Sequence, residues 1–230
     1  MTGHFVTCYE SLMAYKVSRS EWSRIWEGVR EVSSLFDCRV VFIGGIAVYL
    51  HSIAGGADKN SPFVEFSHDA DFYISMSDLG DLRDIEEITP NRRLSKYQFI
   101  KNGIDFDVYV ERQSGLRVPW GEIAQHSVLV DAIRVASLEH LLVLKLDAYG
   151  DRGASAKGRK DERDVARIVY LLGLQKPKRA LFEKYLTKEH EALLKKVSKS
   201  DVFPLLVDGN LRKARQLREK FAATVARISK

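Results

Sequence analysis

Two segments in the first third of the chain decide the fold: residues 40–50 read VVFIGGIAVYL, and residues 67–74 read SHDADFYI. The first is an apolar run interrupted by Gly44 and Gly45, which predicts a buried strand, a glycine turn and then a helix. The second places Asp69 and Asp71 on one strand face, because side chains alternate along a strand. Adjacent carboxylates repel each other unless a cation neutralises them. A glycine turn beside such a pair predicts a site for phosphate and metal.

Outward from these segments, the pattern of apolar residues changes from mixed to purely helical near residue 136. Apolar runs and alternation predict strands at residues 38–43, 69–75, 93–101, 104–111 and 127–135. Helical spacing predicts helices at residues 20–36, 46–53, 78–88, 138–149, 160–172, 178–199 and 211–228. Asn102-Gly103 predicts a hairpin turn, Ser137 a helix cap, and residues 54–67 and 150–158 have loop composition.

These elements predict an α/β (α+β) chain of two domains. Residues 1–136 are expected to form a mixed sheet flanked by helices, and residues 137–230 a helical domain that completes the site. The 230 residues are 45% hydrophobic and 29% charged, which is typical of globular proteins.

Composition also bears on location. No apolar run approaches the roughly 20 residues that span a bilayer, and residues 1–10 lack the regions of a secretory signal. The two cysteines, Cys8 and Cys38, are typical of reduced thiols rather than of a disulfide scaffold. A cytoplasmic protein without membrane contact is the expectation.

Charge is distributed unevenly. Residues 176–230 carry 15 Lys/Arg and 6 Asp/Glu, a net charge of +9, whereas the preceding part is slightly acidic. A basic helical end predicts contact with a polyanion such as RNA, although a solvated lysine-rich surface gives the same pattern.

A third carboxylate is expected beside the first two. In the strand at residues 104–111, Asp105, Asp107 and Tyr109 share one face. Three carboxylates on adjacent strands form a hard-oxygen site suited to Mg²⁺. Both Asp105 and Asp107 point the right way, and Asp107 is preferred because apolar strand residues follow it.

Gly-Gly at a strand-to-helix turn, then Asp69-x-Asp71 between apolar residues and then a later strand aspartate, resembles the nucleotidyltransferase superfamily related to polymerase beta. The run SLEHLLVLKLDA from Ser137, with Arg152 and with KDERD from Lys160, is similar to AbiEii-type toxin nucleotidyltransferases and their minimal prokaryotic relatives. The resemblance covers roughly residues 40–172. It departs from the family in its longer segment between glycines and aspartates.

The resemblance implies an enzyme that moves a nucleoside monophosphate from a nucleoside triphosphate to an acceptor hydroxyl. Gly44 and Gly45 would hold the β- and γ-phosphates. Asp69, Asp71 and Asp107 would bind two Mg²⁺ ions, or Mn²⁺ in their place, with Asp107 near the acceptor hydroxyl and available as its base. Further phosphate contacts are expected from the basic residues Lys145, Arg152 and Lys160.

Other polar residues carry two interpretations each. His68 either supports a carboxylate or touches the nucleotide, or is structural. Asp161 and Asp164 either orient Lys or Arg partners or help the acceptor site, or they favour a helix start by charge alone. Lys157 and Arg159 are interpreted as solvated charge, and Tyr49 and Tyr73 as core residues rather than base-stacking ones.

Several acceptors fit this chemistry. The basic end favours RNA, such as a tRNA 3′ end, and the resemblance adds a toxin role with an antitoxin partner. A small hydroxylated molecule of the aminoglycoside type and a protein hydroxyl are alternatives. A non-catalytic nucleotide- or RNA-binding module on the same fold is a further one.

Overall fold

The structure is a computed structural model that describes residues 17–229. Its strands are β1 Val41–Ile43, β2 Asp69–Ile74, β3 Thr89–Asn91, β4 Lys96–Lys101, β5 Ile104–Val110, β6 Val128–Val130 and β7 Ile133–Val135. Its α-helices are α1 Arg19–Leu35, α2 Gly44–Ala54, α3 Met76–Ile85, α4 Trp120–His126, α5 Leu138–Arg152, α6 Ala156–Leu174, α7 Lys188–Lys199, α8 Val202–Leu205 and α9 Leu211–Ile228. The segment examined for a secretory signal, and Cys8 within it, lie outside the described residues.

The strands form one mixed sheet in the order β3-β4-β5-β2-β1-β7-β6. Strand β2 runs antiparallel to β1 and parallel to β5. Strand β1 is buried along its whole length and lies between β2 and β7. The mixed α/β fold expected from the sequence is therefore confirmed.

Local turn and cap chemistry explains several element ends. Asn102 and Gly103 both have positive φ, at 55° and 73°, as the two-residue turn between β4 and β5 requires. The Ser137 hydroxyl accepts a hydrogen bond from the backbone N–H of His140 at 3.3 Å and caps α5. Both features agree with the sequence.

Helices α2 and α6 lie side by side and run in the same direction. A Cβ added at Gly45, near the start of α2, would lie 3.1 Å from Nζ of Lys160, in the second turn of α6. A Cβ added at Gly55, just past the end of α2, would lie 2.6 Å from Cδ2 of Leu171. The two helix starts therefore meet at the same place, beside the glycine pair.

One continuous hydrophobic core joins the sheet to the later helices. It includes Phe72 and Phe106 from the sheet, and Leu142, Phe203 and Phe221 from the helices. The division of the chain at residue 136 stays a prediction.

Several expected boundaries were wrong. Residues 150–158 are not a loop, because α5 continues to Arg152 and α6 begins at Ala156. A helix over 178–199 is present only as Lys188–Lys199, preceded by a 3₁₀ turn at Arg179–Leu181. The strand expected at 127–135 is a hairpin, whose turn residues Asp131 and Ala132 have positive φ. Strand β4 begins at Lys96, after a 3₁₀ turn.

No helix within residues 17–229 has the length and apolar character needed to cross a bilayer.

Cys38 is a free thiol, and its Sγ lies 3.3 Å from the carbonyl oxygen of Ala132.

Candidate active site

The parallel pairing of β2 with β5 brings the predicted aspartates together. Asp69 lies opposite Asp105, and Asp71 lies opposite Asp107. All four side chains are on one face of the sheet, because partners in register point the same way. Asp105 is exposed, whereas Asp107 is buried with 7% of its surface accessible. The structure therefore sets Asp107, rather than the exposed Asp105, opposite Asp71 in the less accessible part of this face.

Asp71 is the electrostatically unfavourable member of this group. Burial raises its pKa to about 7, and the nearby carboxylates of Asp69 and Asp107 add to the rise. In the described part of the chain, Asp71 takes part in no ion pair. A partly buried carboxylate beside two others, with no cation within ion-pair distance, is the position that a bound cation would stabilise most.

Asp69 is better compensated. It accepts a hydrogen bond from the Ser67 hydroxyl at 3.1 Å, and its Oδ2 lies 3.6 Å from Nζ of Lys157. Burial acts to raise the pKa of Asp69, but Lys160, Lys157 and Ser67 outweigh burial, so the pKa lies below its ordinary value. Asp69 is thus ionised at neutral pH and ready to bind a cation.

Asp107 is held by the neighbouring strand. Its Oδ2 is paired with the ammonium group of Lys96, and its Oδ1 accepts a hydrogen bond from Nε2 of Gln98 at 2.8 Å. Sequence reasoning missed Lys96 and Gln98. The hairpin turn at Asn102-Gly103 could have revealed the contact, since it sets the register that pairs Gln98 with Asp107.

The glycine pair lies directly against the aspartates. Gly44 is the first residue of α2 and has a φ of +64°. A Cβ at Gly44 would lie 2.1 Å from Oδ2 of Asp71, and one at Gly45 would lie 2.4 Å from the Ser67 hydroxyl. Only glycine permits this approach and this backbone angle. No side chain caps the start of α2, so its first N–H groups are free to bind an anion.

Three predicted residues, Lys145, Asp161 and Asp164, form a buried ion-pair cluster, and the exposed Arg152 pairs with it from outside. Nζ of Lys145 lies 3.1 Å from Asp161 and 2.8 Å from Asp164, and Arg152 lies 3.0 Å from Asp161. Burial acts to lower the pKa of Lys145, but Asp164 and Asp161 outweigh it and raise that pKa. Asp161 and Asp164 lie beyond the first turn of α6, so charge at the helix start does not explain them. Both carboxylates pair with Lys and Arg side chains, and their help to the acceptor site stays a prediction.

The start of α6 supplies cations to the same place. Nζ of Lys160 donates to the Ser67 hydroxyl at 2.9 Å, and Lys157 faces Asp69. Lys157 was interpreted as solvated charge, but its contact with Asp69 places it at the site. Arg159 pairs with Glu162 at 3.0 Å and with Asp201 at 3.3 Å.

The remaining candidates lie at the margin or in the core. Nδ1 of His68 lies 3.2 Å from Oε1 of Glu21 on α1. Tyr49 packs against Trp22, with ring centroids 4.5 Å apart, and Tyr73 packs against Trp120. Tyr109 faces the site: burial raises its pKa, and Asp71 and Asp107 raise it further. Its position on the carboxylate face follows from strand alternation.

Glu65 anchors the loop before β2 to α6. It pairs with Arg163 at 2.7 Å and with Arg167 at 2.8 Å. Burial acts to raise its pKa, but Arg163, Arg167 and Lys160 outweigh burial and lower the pKa from 4.5 to about 2. A carboxylate with a depressed pKa stabilises the fold fully above its unfolded pKa and loses that contribution as the pH falls.

We therefore expect Glu65→Gln to lower the free energy of unfolding at pH 7 by on the order of 2 kcal/mol. The difference between wild type and variant should shrink as the pH falls from about 4.5 to about 2, the pKa range of this group. Urea unfolding at a series of pH values measures both quantities. A difference that is the same at all pH values would show that the charge of Glu65 does not stabilise the fold.

The donor chemistry at Asp69 and Asp71 fits Mg²⁺. The ligands are carboxylate oxygens, and Asp71 makes no ion pair within residues 17–229, which is the environment a hard divalent cation favours. Over residues 17–229, no three Asp, Glu, His or Cys side chains already stand in an arrangement that would hold a metal. A site of two carboxylates completed by phosphate oxygens agrees with both facts, because Mg²⁺ usually binds in this way.

Neither a known family model nor a curated protein matches the chain. Several solved structures do match the chain. JHP933 from Helicobacter pylori has 17% identity, with 93% of this chain and 95% of that chain covered and a TM-score of 0.49. An antigenic nucleotidyltransferase-like protein from Paracoccidioides brasiliensis has 15% identity, with coverage of 90% and 94% and a TM-score of 0.48.

The Megavirus polyadenylate synthase has 14% identity, with 75% of this chain and 36% of that chain covered and a TM-score of 0.47. All three TM-scores lie below 0.5, and the AbiEii-type relationship stays a prediction. The likenesses are too distant to decide an activity. The function proposed below therefore rests on the geometry of the site.

Proposed function

We propose that this chain is a nucleotidyltransferase that moves a nucleoside monophosphate from a nucleoside triphosphate to an acceptor hydroxyl. One observation carries the proposal: Asp69, Asp71 and Asp107 lie on one sheet face, directly against the uncapped start of α2 at Gly44. Carboxylates suit a cation and free helix N–H groups suit an anion. A metal-bound triphosphate contains both the cation and the anion.

The residues have separate roles in this proposal. The N–H groups at the start of α2 hold the phosphates, and Asp69 and Asp71 would hold Mg²⁺. When bound, Mg²⁺ would neutralise phosphate charge and favour loss of pyrophosphate. Lys157 and Arg152, with side chains 56% and 44% exposed, are able to turn toward the triphosphate. Lys160 stays on Ser67 and fixes the position of Asp69.

Asp107 lies beside Asp71 and orients the acceptor hydroxyl. The hydroxyl oxygen attacks the α-phosphorus and loses its proton to water, the bond from that phosphorus to the bridging oxygen breaks, and pyrophosphate leaves with the electron pair. Lys96 and Gln98 already engage the oxygens of Asp107, so it must exchange a partner before taking the hydroxyl proton. The orienting role needs no such exchange. Positioning of this kind supplies much of the acceleration in phosphoryl transfer.

RNA is the acceptor that the charge favours. Helix α9 alone carries six exposed Lys/Arg and one Asp/Glu. Contacts from such a surface to phosphates make affinity fall steeply with salt. A tRNA 3′ end, and a toxin role with an antitoxin partner, remain finer versions of this proposal that come from the sequence resemblance.

The test is incubation of the protein with each α-labelled nucleoside triphosphate, Mg²⁺ and total RNA. We expect label in RNA, in an amount that depends on which nucleotide is supplied. Parallel incubations with an aminoglycoside and with a protein mixture detect the alternative acceptors. Absence of label from all three acceptors, with nucleotide binding retained, would favour the non-catalytic module and contradict the proposal.

A further inference from the structure

The third carboxylate of the site already has a cation built into the protein. Lys96 is the first residue of β4, and its ammonium group pairs with Oδ2 of Asp107. The side chains of Lys96 and Asp107 are only 9% and 10% exposed. Gln98 lies two residues along the same strand and donates to the other oxygen at 2.8 Å. Both oxygens of Asp107 are thus engaged by β4.

The other two carboxylates are more accessible to an added ion. The partner of Asp69, Lys157, has a side chain that is 56% exposed and lies 3.6 Å away, so this pair is loose and exchangeable. Asp71 is in no ion pair within residues 17–229. Two carboxylates therefore remain for metal, and Mg²⁺ usually uses one or two together with substrate phosphates.

We propose that Lys96 takes the place of a second divalent cation, so that the site binds one ion through Asp69 and Asp71. This inference rests on the proposed function and deepens it, because it replaces the two-ion arrangement expected from the sequence. Displacing Lys96 from Asp107 would leave a buried ammonium without a partner. Breaking a buried pair in this way is strongly unfavourable, so an added ion does not readily displace Lys96.

The test counts Mn²⁺ ions bound to the full-length protein without nucleotide, by electron paramagnetic resonance titration. Wild type should bind one ion per chain. Lys96→Met should bind a second ion, or bind Mn²⁺ at least about tenfold more tightly, because Asp107 is then free as a ligand. Adding Asp107→Asn to Lys96→Met should return the count to one.

Lys101→Met is the matched control. Lys101 ends the same strand and pairs with Glu86 at 2.7 Å, and its pairing partner across β5 is Ile104, not an aspartate. Its Mn²⁺ binding should equal that of wild type. If Lys96→Met fails to fold, single variants in the wild-type background decide instead. Asp71→Asn should abolish Mn²⁺ binding, and Asp107→Asn should retain it.

Two ions bound to wild type would overturn the inference and leave the proposed function standing. A Lys96→Met variant that folds and binds Mn²⁺ like wild type would also overturn the inference. Equal losses of Mn²⁺ binding in Asp71→Asn and Asp107→Asn would do the same. No bound ion in wild type, even with a nucleoside triphosphate present, would instead contradict the proposed function itself.

Discussion

Asp71→Asn should lower nucleotidyl transfer by about 100- to 1,000-fold, the range seen when one preorganised electrostatic group is removed from an active site. Asp71 lies against Gly44 and between the other two carboxylates, so its charge is the one most directly available to a cation. The amide has nearly the same shape, so the surrounding packing should persist. The measurement is the initial rate of label transfer at saturating Mg²⁺.

The same variant should not weaken the fold. Removing the charge of Asp71 relieves its repulsion with Asp69 and Asp107, so the free energy of unfolding in a metal chelator should be equal to that of wild type or higher. Asp105→Asn is the control, since Asp105 is on the same face but exposed. Its transfer rate should stay within about twofold of wild type, as expected for a surface change. Equal rates for Asp71→Asn and wild type would exclude Asp71 from the chemistry.

Lys145→Met should lower the free energy of unfolding by about 3–5 kcal/mol, because it leaves buried carboxylates without their main counter-charge. Lys145 is 7% exposed and pairs with both Asp161 and Asp164, each of which is at most 2% exposed. Arg152 and Arg167 remain and compensate part of the charge. Urea unfolding followed by circular dichroism gives the value.

Lys195→Met, at an exposed position on α7, is the matched control and should change stability by no more than about 0.5 kcal/mol. The experiment separates two roles for Lys145. If this lysine served chiefly to contact phosphate, as the family resemblance implies, Lys145→Met would raise the KM for nucleotide without changing stability. A stable variant with weakened nucleotide binding would therefore contradict the structural role.

The parts of the fold that depend on neighbours in sequence were predictable. The buried strand, the glycine pair and the helix that follows occupy adjacent residues, and the turn at Asn102-Gly103 needs only two residues that tolerate positive φ. Strand alternation placed Asp69 and Asp71 together, but it left Asp105 and Asp107 equivalent. Burial, which depends on what packs against the sheet, distinguishes the two.

The parts that depend on tertiary contact were not predictable in the same way. Gly158 indicated a loop, yet it lies in α6, where a Cβ would come 2.0 Å from the carbonyl oxygen of Gly153. The Ser155 hydroxyl caps α6 ahead of it. Residues before α7 are held by long-range contacts, such as the hydrogen bond from the N–H of Lys178 to Glu139 at 2.9 Å. The apolar residues in this segment have helical spacing, so the sequence alone predicted a helix there.

The position of the label in the product distinguishes nucleotidyl transfer from every other reaction of a triphosphate at this site. The protein is incubated with acceptor RNA and with nucleoside triphosphate labelled at either the α- or the γ-phosphorus. We predict that α-label enters RNA in wild type and is lost in Asp71→Asn, while γ-label appears only in pyrophosphate. Transfer of γ-label to RNA, or α-label incorporation that persists in Asp71→Asn, would contradict the assignment of Asp69, Asp71 and Gly44 as a nucleotidyltransferase site.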